Sequence, residues 1–102
     1  GILAAIAIPQ FSAYKERAYN SDTQATLHNL FLSCKAYWAD NGAGAACTTA
    51  DVTTTTYGFS KSTKITITDG TTTEAAFAST AVNSDAATVT YQIDSSGAIT
   101  KQ

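Results

Sequence analysis

The chain is predicted to be an α+β protein, with a long amino-terminal helix packed on a small antiparallel meander of about three to four strands. Two patterns predict this. From Gln10 to about Asp40 there is neither glycine nor proline, and Leu27, Leu30, Phe31, Cys34, Tyr37 and Trp38 repeat at three and four residues, the spacing of one buried helical stripe. From Cys47 onward Thr, Ser and Ala dominate. There Lys64-Ile65-Thr66-Ile67-Thr68 and Thr88-Val89-Thr90-Tyr91-Gln92-Ile93 alternate an apolar face with a mostly hydroxyl-bearing one, as half-buried antiparallel strands do.

The helix is predicted over 1–41, and its opening differs from its end. In GILAAIAIPQF the side chains of Ile2, Leu3, Ile6, Ile8 and Phe11 wrap around the axis, and no charge precedes Lys15. A helix that is apolar all round has to be buried. Eight residues before Pro9 are too few to cross a bilayer, which takes roughly 20. The run therefore reads as the tail end of a membrane segment. With no methionine in the chain, Gly1 is expected to follow residues removed by processing or design, themselves apolar. Pro9 offers no N–H to the carbonyl of Ala5 and its ring clashes there, at a cost of about 3 kcal/mol in a soluble helix. It is read as either a kink or a deliberate weak point in a packed bundle.

Length separates the two halves of the helix. Roughly 31 residues span roughly 46 Å, whereas a compact chain of this size has a diameter of roughly 33 Å. Residues 1–20, with Phe11 and Tyr14, are expected to protrude, and 21–41 to lie on the sheet. Asn41-Gly42 supplies the stop, because glycine accepts the left-handed conformation after a helix end. Residues 42–63 are read as a connecting loop held near the sheet by Tyr57 and Phe59. Residues 64–102 are read as the sheet, with a weaker strand around Ala75 to Ala81 centred on Phe77 and a short last strand at Ala98-Ile99-Thr100. Asp69-Gly70 and Ser95-Ser96-Gly97 serve as turns. Ile65, Ile67, Phe77, Val89, Tyr91, Ile93 and Ile99 are the expected partners of the Leu27 to Trp38 stripe, all within one domain.

GILAAIAIPQFSAYKERAYNS, Gly1 to Ser21, resembles the amino-terminal helix of type IV pilins, and particularly of type IVa major pilins. The match is near motif-identical over about a fifth of the chain, and a long helix, a variable loop and a short meander is also that family's fold. The resemblance implies a membrane-anchored precursor, trimmed and methylated by a prepilin peptidase and extracted from the bacterial inner membrane by an ATP-driven assembly machine. It further implies a homopolymeric surface filament, extracellular once assembled, with Gly1, Ile2, Leu3, Ile6, Ile8, Pro9, Phe11 and Tyr14 in its core. In the family, the segment matching Gly1 to Pro9 loses helical structure in the filament. Roughly a dozen family residues are missing before Gly1, including an acidic residue used in subunit registration, so this chain as it stands is expected not to polymerise normally.

The family's usual disulfide brackets a loop near the carboxyl end, whereas Cys34 and Cys47 both precede the sheet. Cys34 lies roughly 10 Å back from the helix stop, and the segment from Asn41 to Cys47 can reach roughly 20 Å, so a bridge is feasible if the loop doubles back. An exported domain favours oxidation. The other reading leaves two thiols unpaired, with Cys34 as a small core residue.

Catalysis is not expected. His28 is the sole histidine, no GxSxG or HExxH pattern is present, and neither a metal constellation nor a cofactor is indicated. Glu16, Asp22, Asp40, Asp51, Asp69, Glu74, Asp85 and Asp94 are scattered. A net charge of −2 without a basic run disfavours phosphate-driven binding by a monomer, although a filament could gather Lys61, Lys64 and Lys101 into stripes that bind DNA or surfaces. Two classes of function compete: a major pilin serving adhesion, twitching motility or DNA uptake, and a minor pilin or type II secretion pseudopilin. Pseudopilins of the major kind usually carry a calcium-binding carboxylate cluster near the carboxyl end, where this chain has only Asp85 and Asp94. Electron conduction through Phe11, Tyr14, Tyr19, Phe31, Tyr37 and Trp38 is a further idea, weaker than their packing role.

Overall fold

A computed structural model describes the backbone from Ile2 to Gln102 and the side chains from Tyr14 to Gln102. Helix α1 spans Ile2–Asn41 and the short α2 spans Thr49–Val52. Strands β1 (Ile65–Asp69), β2 (Ala78–Asn83), β3 (Thr90–Asp94) and β4 (Ile99–Lys101) form one antiparallel sheet in sequence order. The expected meander is present with four strands, and α1 lies across it, mainly over β2 and β3.

The molecule measures 61 × 27 × 16 Å, and its long dimension is the helix. Helical backbone continues through Pro9. The environments of Gly1 and of the side chains of Ile2, Leu3, Ile6, Ile8, Pro9 and Phe11 lie outside the described residues. At its other end α1 stops where the sequence predicts: Gly42 adopts φ +99° and donates its N–H to the Trp38 carbonyl at 2.7 Å, satisfying one of the carbonyls a helix end leaves open.

The core forms between one helix stripe and the inner face of the sheet. Leu27, Leu30, Cys34 and Trp38 are buried against Ile65, Phe77, Ala81 and Ile93, while Phe31, Tyr37, Ile67, Tyr91 and Ile99 pack at its margin half-buried. Phe77 is the hub, meeting the Trp38 ring edge-on at 5.2 Å and the Phe31 ring tilted at 6.0 Å. Such ring pairs add about 0.5–1.5 kcal/mol beyond their burial.

Several boundaries differ from expectation. Phe77 does not centre a strand: Glu74–Ala76 form a 3-10 turn, Phe77 closes it, and β2 begins at Ala78. The inward positions of β2 are Ser79, Ala81 and Asn83, side chains too small and polar to register as an apolar alternation. Val89 lies before β3 rather than in it, because a 3-10 turn at Ser84–Ala86, capped by the Asn83 side chain, delays the start of the strand. The connection after α1 holds α2, set by a capping box in which Thr48 and Asp51 satisfy each other's backbone N–H groups. The T-x-x-D spacing was the signal for it.

Candidate assembly surface

Cys34 and Cys47 form a disulfide, with Cα atoms 5.8 Å apart and both residues fully buried. The loop doubles back, as bridging required. The Trp38 indole donates to the Ala45 carbonyl at 3.0 Å, the Cys47 N–H to the Thr72 carbonyl, and the Glu74 N–H to the Ala43 carbonyl. Lys35 reaches Glu74 at 3.6 Å and stands over the Phe31 ring. The carboxyl half of α1, the loop and the turn before β2 are therefore tied together.

A second tie lies beside it. The Tyr57 hydroxyl donates to Asp40 and accepts from the Asn41 side chain, and its ring meets Tyr37 edge-on at 5.4 Å. Loss of water around the ring, and then the Asp40 carboxylate, push the Tyr57 phenol above its ordinary value. This cluster pins the loop to the helix end. Among the described residues, no group of three or more His, Cys, Asp or Glu side chains is arranged to hold a metal ion.

The amino half of α1 is differently placed. Tyr14, Lys15, Glu16, Arg17 and Ala18 are all exposed, and cover from the sheet begins around Tyr19 and Thr23. Tyr14, with 70% of its surface free, is the most exposed large apolar side chain described. The sheet-facing stripe is Thr23, Leu27, Leu30, Cys34 and Trp38, all buried. Thr23 and Thr26 escaped the apolar pattern because they are polar, yet each turns its hydroxyl onto the carbonyl four residues back and so needs no outside partner.

On the opposite side runs another stripe, Tyr14, Ala18, Ser21, Ala25, His28 and Leu32, all exposed. Its steps of four and three residues are those of a helix–helix seam. Tyr14, Arg17, Ala18 and Ser21 line a shallow concavity along it, because Ala18 and Ser21 are small beside their neighbours. Leu32, 51% exposed, closes the other end. His28 stands in this row exposed to solvent.

Comparisons with protein-family models, with curated proteins and with solved structures find no match for the chain. No helix among the described residues is long and apolar enough to cross a membrane.

Proposed function

We propose that the chain is the structural subunit of a type IV pilus, polymerising through its amino-terminal helix into surface filaments for adhesion, motility or DNA uptake. The observation that carries this proposal is the division of α1. One stripe is consumed by the sheet, whereas the stripe from Tyr14 to Leu32 is uncovered and leads directly into the apolar run GILAAIAIPQF. An uncovered helix face continuous with so apolar a sequence calls for a partner, and a neighbouring copy of the same helix offers one with a matching small-residue seam. The resemblance of Gly1 to Ser21 to type IV pilins supports the same conclusion and supplies the pilin fold as the finer description of this helix on its sheet. On this proposal the partners are other copies of the chain, the inner membrane before assembly, the prepilin peptidase and the assembly machine.

A pseudopilin is the second reading, and the acidic side chains do not favour its calcium cluster. Asp85 pairs with Lys64 at 3.3 Å, and Asp94 is taken up by the turn that follows it. Electron transport is weakened too, since Phe31, Tyr37 and Trp38 meet Phe77 and Tyr57 within the subunit, leaving Phe11, Tyr14 and Tyr19 for any path between subunits.

The test places an apolar segment upstream of Gly1 and expresses the resulting precursor in a pilus-competent cell lacking its own major pilin. Electron microscopy of the sheared surface fraction is expected to find long thin filaments containing this chain. Ala18→Glu, a change at a solvent-facing position, should leave the fold intact and abolish the filaments. Correctly processed, membrane-inserted chain without filaments would transfer the assignment to the pseudopilin or minor-pilin class.

A further inference from the structure

The row on α1 that faces away from the sheet, Tyr14, Ala18, Ser21, Ala25, His28 and Leu32, is exposed throughout and holds no carboxylate, lysine or arginine. Charges stand only on its flanks. With Ala18, Ala25 and Leu32 at heptad positions a, and Tyr14, Ser21 and His28 at d, Arg17 falls at g on one flank, and Lys15 and Asp22 at e on the other. Ion pairs on a single helix form at steps of three or four residues. No acid lies at either step from Arg17, and no base at either step from Asp22. Among the described residues both side chains are exposed, and neither joins an ion pair within the chain. Lys15, by contrast, is engaged within its own chain.

From this charge pattern we infer that the outward face of α1 docks a second copy of this chain, parallel and in register, as a two-fold pair. In such a pair a g residue of one helix meets the following e residue of the other. Arg17 of each copy thus meets Asp22 of the other, twice by symmetry. A slip of one heptad would bring Arg17 opposite Lys15 or Asn29, a repulsion or a lost attraction, so the charges fix the register. An antiparallel pair has only Lys15 to offer Asp22, and it carries the two apolar amino-terminal runs to opposite ends; the parallel pair lays them side by side. The small side chains of Ala18, Ser21 and Ala25 let the backbones approach, and each sheet lies on the far side of its own helix.

The inference rests on the proposed function only in treating this face as a surface for self-association, and it adds a regulatory state. An isologous pair closes on itself, whereas a filament grows by a heterologous contact. The pair therefore holds unassembled subunit in reserve and competes with the filament for the same face.

The test uses the full 102-residue chain dispersed in nonionic detergent, where no filament is needed. Both native cysteines are joined to each other, so an introduced thiol is the free one. Ser21→Cys, at a d position, is expected to cross-link into homodimer at least about tenfold faster under mild oxidation than Glu16→Cys, because the pair holds the two thiols together. Glu16 is exposed on the opposite side of the helix. In sedimentation equilibrium Arg17→Asp and Asp22→Arg should each pair about fivefold or more weakly than the parent, as two attractions become two repulsions. Arg17→Asp/Asp22→Arg should recover the parent's strength, and added salt should weaken both. All these positions are exposed, and circular dichroism checks that the fold is kept. Ser21→Cys cross-linking no faster than Glu16→Cys, or a double reversal as weak as the single ones, would overturn the in-register pair. Filaments are scored separately by microscopy: filaments with no pair in detergent overturn this inference alone, whereas a pair without filaments supports it and counts against the proposed function.

Discussion

Single atoms decide two of the less obvious features of this protein. Ser79 is 1% exposed under the helix and its hydroxyl has no partner, a cost that a buried polar group incurs when desolvated. Ser79→Ala is therefore expected to be neutral or to stabilise the fold by up to about 1 kcal/mol in urea denaturation. A loss of more than that would reveal a partner for the hydroxyl. Asp94 behaves oppositely: hydrogen bonds from the Ser96 hydroxyl and backbone, and then from the Ala98 backbone, favour its charged form and lower its pKa. Its contribution to the β3–β4 turn is present above the ordinary carboxylate value and is lost as pH falls through the lower folded value. Amide resonances of Ser96 and Ala98 should titrate with a midpoint below the usual aspartate range; a midpoint at or above that range would refute this account. In the same turn Gly97, at φ +83°, leaves only 3.0 Å between an added Cβ and the Phe31 ring, so the turn presses directly on the core.

Among the elements, α1 and the loop after it are the pair whose coupling is easiest to break. The disulfide joins residues 13 apart, and closing a loop of that size stabilises by about 3 kcal/mol in the chain-entropy model. Replacing both cysteines, as Cys34→Ala/Cys47→Ala, is expected to lower the melting temperature by roughly 12 °C or more, at about 4–8 °C per kcal/mol for a domain of this size. A change of only a few degrees would mean that the Trp38–Ala45 and Ala43–Glu74 hydrogen bonds hold the loop unaided. Helix α2 depends on this closure. At four residues it is far shorter than an isolated helix can be and persist, and it survives through its capping box and the Asp69 carboxylate, which accepts from the Thr49 N–H and hydroxyl.

At the scale of the whole molecule, stability is unevenly distributed along one helix. The turns from Leu27 to Trp38 bury one stripe under the sheet, whereas those from Tyr14 to Ala18 are exposed. Hydrogen exchange on dispersed monomers should find backbone amides near Leu30 and Cys34 protected at least about 100-fold more than those near Arg17, since uncovered helix opens locally at little cost. In assembled filaments the difference should shrink. Uniform protection in the monomer would contradict the division on which the proposed function rests.

The amino-acid sequence by itself determined the long helix, its stop at Gly42, the antiparallel meander and most of the helix–sheet core. Each of these is written in local periodicity or turn chemistry, and neighbouring residues suffice to read it. The core residues Leu27, Leu30, Trp38, Ile65 and Ile93 are buried because apolar side chains at helical or strand spacing have one face on which to hide. Tertiary structure alone decided the rest. Between two feasible states it paired Cys34 with Cys47, because distance through space and not along the chain governs that bond. It buried Thr23, Ser79 and Asn83, polar residues that no apolar pattern marks, because a close helix–sheet approach takes small side chains whatever their polarity. It also aligned Thr68, Thr80, Gln92 and Thr100, residues scattered along the sequence that become one row only when the strand register is set.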